Sequence, residues 1–122
     1  MTYVLHLSPA IEGDVTEVAE YYADIDPALA TRFADDLERT LQLIESYPLA
    51  GRALFGDVRR MVLDAFPYLL TYRVDDDHVR VQLLVHTRRD PRWISKTVAE
   101  RVTDRPAGLS GARQILPDPP SP

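Results

Sequence analysis

Arginine is the residue type that most distinguishes this sequence, since thirteen of its fourteen basic side chains are arginines. A guanidinium keeps its charge at physiological pH and binds carboxylates or phosphates through paired hydrogen bonds. Three predicted strands carry arginines on the face opposite their apolar residues, which predicts a surface for an anionic partner. The alternative is that these arginines pair with acidic neighbours such as Asp57, Asp64 or Asp90. The arginines concerned are Arg59 or Arg60, Arg73, Arg80, Arg88 and Arg89.

His86 is predicted to lie on the same face, two residues before Arg88. An imidazole titrates near neutral pH and is therefore a candidate general acid or base. A lone histidine is more often a hydrogen-bonded structural residue, so both interpretations stay open. Three consecutive aspartates at 75–77 offer oxygen ligands for a hard cation, but they occupy one hairpin turn without spaced partners. The sequence therefore predicts no metal site and no cofactor.

Charge is divided unevenly along the chain. Residues 1–50 hold ten acidic and two basic side chains, whereas residues 51–103 hold seven acidic and ten basic ones. This asymmetry indicates an anionic partner for the second half, or simply solvated helix faces in the first half. The net charge of −5 argues against non-specific binding to nucleic acid. The absence of cysteine and of a membrane-length apolar run predicts a cytoplasmic protein.

The elements that position these residues can be read from the pattern of apolar side chains. Ser8-Pro9 and Asp26-Pro27 are typical helix starts, with a capping side chain followed by proline. They predict two helices joined by a short loop, an αα-hairpin. Period-two alternation predicts strands at residues 2–7, 58–63, 68–74 and from 79 onward. Residues 94–102 are compatible with a short third helix.

The order β-α-α-β-β-β predicts an α+β fold, a small antiparallel sheet with the αα-hairpin packed on one face. The covered face is predicted to hold Tyr68, Leu70, Tyr72, Val81, Leu83 and Val85. The open face is predicted to hold Arg73, Arg80, Gln82, His86 and Arg88, with Leu69 and Leu84 as exposed apolar residues. Residues 1–103 are predicted to form one domain. Residues 104–122, with five of the ten prolines, are predicted to form a flexible tail.

Four stretches resemble, in their order along the chain, the RelE/ParE superfamily of toxins from bacterial type II toxin–antitoxin systems. They are YYADIDPALATRF, YPLAGR, FPYLLTYRV and VQLLVHTRRDPRW, and the resemblance covers Thr2 to about Trp93. It implies a growth-inhibiting toxin that forms a hetero-oligomer with a cognate antitoxin encoded alongside it. RelE-like members cut mRNA in the ribosome without a metal, whereas ParE-like members poison DNA gyrase.

The resemblance favours the ParE branch, because several basic positions of the nuclease group are lost. Two basic residues of the nuclease group correspond to Arg88 and to a position near Arg60. Another catalytic arginine of that group corresponds to Leu69, which is apolar in this chain. A catalytic lysine would fall near Val62, and the C-terminal catalytic tyrosine has no counterpart beyond Ile94 or Trp93. The implied target is therefore DNA gyrase. Two alternatives stay open: a metal-free mRNA endonuclease using Arg60, Arg73, His86 and Arg88, and a degenerate non-toxic module that only binds the antitoxin.

A partner surface is predicted where arginines lie beside exposed apolar residues. Such a surface suits an amphipathic antitoxin segment flanked by acidic residues. Trp93 either stacks on a base or clamps the last strand onto the core, and the clamp is preferred. The predicted contact residues are Leu69, Arg73, Arg80, Leu84, Arg88, Arg89 and Trp93.

Overall fold

A computed structural model describes residues 3–103 of the chain, with side chains over residues 3–101. The bounds are β1 Val4–Leu7, α1 Pro9–Ile25, α2 Pro27–Ser46, a 3-10 turn Pro48–Ala50, β2 Arg52–Phe55, β3 Val58–Val62, β4 Tyr68–Asp75, β5 His78–His86 and α3 Pro91–Thr103. Among these helices, none is both long and apolar enough to cross a membrane. The predicted tail at 104–122 lies outside the described residues.

The predicted αα-hairpin is confirmed, together with both of its caps. The Ser8 hydroxyl accepts a hydrogen bond from the backbone N–H of Ile11 at 3.4 Å, and the Asp26 carboxylate accepts one from Ala28 at 3.0 Å. Asp26 also ends α1, since its own N–H donates to the carbonyl of Tyr22. Proline at the first helical position removes no intrahelical bond, because an N–H there has no acceptor in the helix. Ile11 of α1 and Phe33, Leu37 and Ile44 of α2 are buried in one core with Leu70 and Tyr72 of β4.

The sheet has the strand order β1-β5-β4-β3-β2. An α+β fold with a helical hairpin on one face is confirmed, but the prediction of a purely antiparallel sheet without β2 is wrong. β1 runs parallel to β5. A tight turn would force neighbouring strands to be antiparallel, but these two strands are far apart in the chain, so either direction was open to them. Arg52–Phe55, for which the sequence predicts no strand, is a four-residue edge strand that pairs antiparallel with β3.

A β-bulge in β5 changes which side chains face which layer. Thr71 of β4 pairs with Leu83, whereas the next residue, Tyr72, pairs with Val81, so Gln82 is an extra residue. An extra residue in one strand reverses the alternation beyond it. Sequence alternation alone cannot reveal this reversal, because Leu83 and Leu84 are both apolar and either of them can face the core.

Beyond the bulge, Leu84 joins the core under the helical hairpin, while Leu83 and Val85 point to the opposite side. The prediction that Leu83 and Val85 face the hairpin is therefore wrong. They pack instead against Ile94 and Val98 of α3, which covers part of the second face. We call the two sides the hairpin face, which carries Leu70 and Tyr72, and the α3 face, which carries Leu69 and Thr71.

An ion pair closes the edge of β5 that extends past the short β1. Arg101 of α3 donates two hydrogen bonds to the Asp14 carboxylate of α1, at 2.6 and 3.0 Å. The same carboxylate accepts the backbone N–H of Leu84 at 3.1 Å, and Arg101 also donates to the carbonyl of Gln82 at 3.0 Å. An open strand edge can pair with a strand of another molecule. Asp14 and Arg101 prevent this next to the bulge by bonding the backbone of β5 themselves.

Candidate partner-binding surface

Two pairs of arginines stand directly opposite each other on neighbouring strands of the α3 face. Arg73 of β4 is paired with Arg80 of β5, and Arg52 of β2 is paired with Arg60 of β3. Opposed residues in an antiparallel pair project from the same face, with Cβ atoms about 5 Å apart. Like charges in this position repel each other, so a nearby anion would stabilise each pair.

Arg73 and Arg80, the bridged pair, share a carboxylate that the protein supplies. The Asp75 carboxylate accepts a hydrogen bond from Arg73 Nη2 at 3.2 Å and another from Arg80 Nε at 3.4 Å. A second carboxylate, that of Asp57 in the β2–β3 turn, lies 3.7 Å from Arg73 Nε. Both arginines are at least two-thirds buried. The pairing with acidic neighbours that was one alternative for the arginines is therefore found here.

Arg52 and Arg60, the open pair, have no such bridge. Within residues 3–101, no carboxylate oxygen lies within 4 Å of either guanidinium group. Arg52 is exposed on the edge strand, and Arg60 is partly buried. The register also settles the choice left open between two consecutive arginines of β3. Arg60 shares the α3 face with Arg73, whereas Arg59 points to the other side.

The loop before β2 fixes the position of the open pair. The Tyr72 hydroxyl donates a 2.6 Å hydrogen bond to the carbonyl of Pro48, and Arg59 donates a 2.9 Å bond to the carbonyl of Gly51. Burial raises the pKa of Tyr72, so its hydroxyl stays a donor. A Cβ on Gly51 would occupy the space of that hydroxyl and lie 2.8 Å from the Arg60 carbonyl oxygen. The glycine of the YPLAGR stretch is therefore required for space.

A third basic group lies at the far end of β5, in the turn that leads into α3. The Arg89 guanidinium stacks over the ring of Trp93 at 3.9 Å, a cation–π contact. Arg88 donates its backbone N–H to His86 Nδ1 at 3.1 Å. In the part of the chain with described side chains, neither Arg88 nor Arg89 has a carboxylate within 4 Å. Both arginines and Trp93 are exposed.

The predicted contact residues therefore separate into groups rather than forming one surface. Arg73 and Arg80 lie near the hairpin turn at 75–78, while Arg88, Arg89 and Trp93 lie at the opposite end of β5. The prediction that Leu69 and Leu84 are exposed is wrong. Leu69 is 3% exposed because α3 covers it, and Leu84 is 4% exposed because the bulge turns it into the hairpin core.

His86 lies apart from the bridged pair. It is paired with Tyr68, five positions from Arg73 along β4, a separation of about 17 Å. Its ring packs edge-on against Tyr68, with centroids 5.3 Å apart. Burial and a hydrogen bond with the Tyr22 side chain raise the pKa of Tyr68 to about 12. The placement of His86 on the open face is therefore wrong, and an imidazole held against this neutral phenol does not converge with Arg73.

Exposed apolar side chains border a groove between the end of α2 and β3. Leu43, Tyr47, Leu49 and Val62 are all about half exposed or more. Leu43 and Val62 line the groove, which has a volume of about 620 Å³, together with Asp36 and Arg39. Asp36 is fully buried and accepts three backbone N–H groups of the β3–β4 turn, at 2.8 to 3.1 Å. This carboxylate therefore holds the turn in place and is not available to a ligand.

Sequence reasoning missed Arg52, a member of the open pair, and the role of Asp75, which bridges Arg73 and Arg80. Arg52 followed a glycine in a stretch without alternation, and Asp75 was assigned to a solvated turn. A signal was present: a two-residue turn at 76–77 pairs Asp75 with His78, which places the Asp75 carboxylate beside Arg73 on one strand and Arg80 on the other.

Over residues 3–101, no group of three or more His, Cys, Asp or Glu side chains could hold a metal ion.

Comparisons with known proteins agree on one family. Residues 5–91 match the family described as "ParE toxin of type II toxin-antitoxin system, parDE". Toxin ParE2 from two strains of Mycobacterium tuberculosis is 26% identical over 102 residues, which is 83% of this chain and 97% of that protein. A solved structure described as "Chromosomal ParDE TA system from P. aeruginosa" shares the fold, with a TM-score of 0.62 and 15% identity. That match covers 69% of this chain and 95% of the other.

Proposed function

Because the chain belongs to the ParE toxins of type II toxin–antitoxin systems, we propose that it inhibits growth by poisoning DNA gyrase and that a cognate antitoxin neutralises it. The target and the antitoxin come to this chain from its family alone. Both partners are intracellular, so the proposed place of action is the cytoplasm. The protein acts here as an inhibitor that binds another protein, without a cofactor.

The dispersal of the candidate nuclease residues supports this proposal over RNA cleavage. Metal-free phosphodiester cleavage needs a proton-transfer group within hydrogen-bond reach of the reacting atoms and cations that stabilise the developing charge. Arg60 and Arg73 lie on the α3 face, but His86 packs against Tyr68 far along the sheet. Arg88 follows the end of β5. No single phosphate could contact these four side chains together.

A supercoiling assay tests the proposed target. Purified toxin at micromolar concentration is expected to inhibit DNA supercoiling by gyrase. Toxin first mixed with the product of the neighbouring small reading frame is expected to lose this effect, which controls for contaminating nuclease. Full supercoiling activity at all toxin concentrations would contradict gyrase as the target.

Primer extension on translated mRNA tests the endonuclease alternative. Cleavage that disappears in Arg88→Ala would replace the gyrase proposal with the RNA one. Growth that is unaffected when the toxin alone is expressed would instead favour the degenerate, non-toxic module. The three functions therefore give different results in three separate assays.

The antitoxin is proposed to contact the exposed turn before α3. This turn combines an accessible Trp93 ring with two charges, Arg88 and Arg89, that have no carboxylate within 4 Å among residues 3–101. Such a surface suits an acidic segment with an apolar anchor. Antitoxin contact through Arg73 and Arg80 stays a prediction. Both arginines are paired with Asp75, so they would have to bind the antitoxin in addition to this carboxylate or in place of it. Arg73→Glu tests it: unchanged affinity for the antitoxin would remove the bridged pair from the interface.

A further inference from the structure

We infer that the open pair, Arg52 and Arg60, binds a carboxylate side chain of the antitoxin, placed between the two guanidinium groups. The inference rests on the proposed antitoxin, and it adds Arg52, which the sequence pattern does not indicate, and pairs it with Arg60 as one contact site. It follows from the contrast between two arginine pairs that the same sheet places in the same geometry.

The bridged pair shows what this sheet does with opposed arginines when an anion is available. One carboxylate, that of Asp75, accepts a hydrogen bond from each of Arg73 and Arg80, at 3.2 and 3.4 Å. Charge-assisted hydrogen bonds of this kind offset the repulsion between the two cations. An anion of the same charge between Arg52 and Arg60 would likewise have one guanidinium from each of two paired strands.

Among residues 3–101, no side chain supplies that anion. The nearest acidic residue along the chain is Asp57, in the turn between β2 and β3, but its carboxylate lies 3.7 Å from Arg73 instead. No carboxylate within residues 3–101 reaches Arg52 or Arg60 to within 4 Å. The free toxin therefore keeps two opposed cations next to a neutralised pair, an arrangement that costs stability and that a bound anion relieves.

The position of the open pair favours a peptide carboxylate over a nucleic-acid phosphate. β2 is the last strand of the sheet, so no strand within residues 3–103 pairs with its outer edge, where an extended peptide can add. A nucleic acid would also bring many phosphates near a chain with net charge −5, whose first fifty residues have eight more acidic than basic side chains. A single acidic side chain on a peptide avoids most of that repulsion.

Two measurements on Arg52→Glu test the inference, with Arg32→Glu as the matched control. Arg32 is an exposed arginine of α2 for which no carboxylate lies within 4 Å among the described side chains, so its reversal makes the same change in net charge. Arg52→Glu places a carboxylate opposite Arg60. We expect the Tm of the free toxin to rise by about 1–5 °C relative to Arg32→Glu, since one repulsive pair becomes attractive.

The same variant is expected to bind the antitoxin at least about tenfold more weakly than wild type or Arg32→Glu, because a carboxylate of the partner would then face another carboxylate. Arg60→Glu should repeat both effects. A structural role alone would not combine a more stable toxin with a weaker complex.

Three results would overturn the inference. The first is a complex of Arg52→Glu as tight as that of wild type, which would leave the proposed function intact. The second is a Tm no higher than that of Arg32→Glu, which would show that the pair is not short of an anion. The third is binding of labelled duplex DNA by wild type that Arg52→Glu abolishes, with antitoxin affinity unchanged. A wild-type toxin that does not bind the antitoxin at all would overturn both proposals together.

Discussion

The bridged pair and the open pair share a residue type, an antiparallel pairing and a face of the sheet, yet within residues 3–101 a carboxylate neutralises only the bridged pair. The difference lies in the turns. Asp75 ends β4 two residues after Arg73 and projects from the same face, so it reaches both strands of its hairpin. Asp57 belongs to the hairpin of the open pair but lies beside Arg73 of the next strand. Register, more than composition, decides which arginines remain available to a partner.

Moving the open pair out of place should have the largest effect. In Gly51→Ala the new Cβ meets the Tyr72 hydroxyl and the Arg60 backbone, so we expect a loss of about 2–4 kcal/mol in the free energy of unfolding. The backbone of Gly51 is not the cause, since its φ of −68° is open to any residue. Urea denaturation followed by circular dichroism measures the change.

Gly13→Ala is the matched control for that substitution. Gly13 lies in α1 with no heavy atom within 4 Å of an added Cβ. Alanine is the better helix former, so we expect a gain of about 0.5–1 kcal/mol. A similar loss in both variants would show that the crowding at Gly51 is not what fixes β2.

High pH should weaken the anchor of the open pair, the Tyr72 hydroxyl bonded to the Pro48 carbonyl. Below pH 10 the phenols of Tyr68 and Tyr72 keep their protons in both the folded and the unfolded chain. Burial raises the pKa of Tyr68 to about 12 and raises that of Tyr72 as well, so the unfolded chain loses these protons first as the pH rises. We therefore expect the free energy of unfolding to fall between pH 10 and pH 12.

The variant Tyr72→Phe separates the two tyrosines in this pH range. It loses the hydrogen bond to Pro48, worth about 1–2 kcal/mol at neutral pH, but it should depend less on pH between 10 and 12 than wild type. Unfolding curves at pH 8, 10 and 11 measure both effects. An identical pH dependence in the two proteins would assign the alkaline loss to other groups.

Removing the internal anion should convert the bridged pair into a second open pair. In Asp75→Asn the charge is lost while the shape is kept, and we expect a loss of about 1 kcal/mol, because the carboxylate is 41% exposed and partly screened by water. Asp76→Asn is the control: its φ of +55° suits asparagine as well as aspartate, so its stability should stay within about 0.5 kcal/mol of wild type. Equal losses in both variants would mean that the bridge contributes nothing.

The sequence was sufficient to predict the parts of the fold that depend on local signals. Ser8-Pro9 and Asp26-Pro27 mark helix starts through a capping side chain and a missing N–H, both of which act within three residues. The β4–β5 hairpin follows in the same way from alternation on both sides of a polar turn. These features needed no knowledge of distant contacts.

The features that were missed depend on contacts far apart in the chain. At the bulge, Asp14 accepts the backbone N–H of Leu84, seventy residues away in the chain. Arg101 donates to the carbonyl of Gln82, nineteen residues away. β2 is recognisable only once Tyr72 holds the preceding loop. The prediction of the site had the most errors. Leu84 and His86 lie beyond the bulge, so both face the side opposite to the one predicted.

The most direct test of the central claim follows the four guanidinium groups individually by NMR, with the side-chain Nε–H signals assigned through single Arg→Lys substitutions. On addition of the antitoxin, we expect the signals of Arg52 and Arg60 to shift and to exchange more slowly with water, because they gain a carboxylate. The signals of Arg73 and Arg80 should change less, since Asp75 already holds them. A complex that forms while the signals of Arg52 and Arg60 stay unchanged would contradict the account.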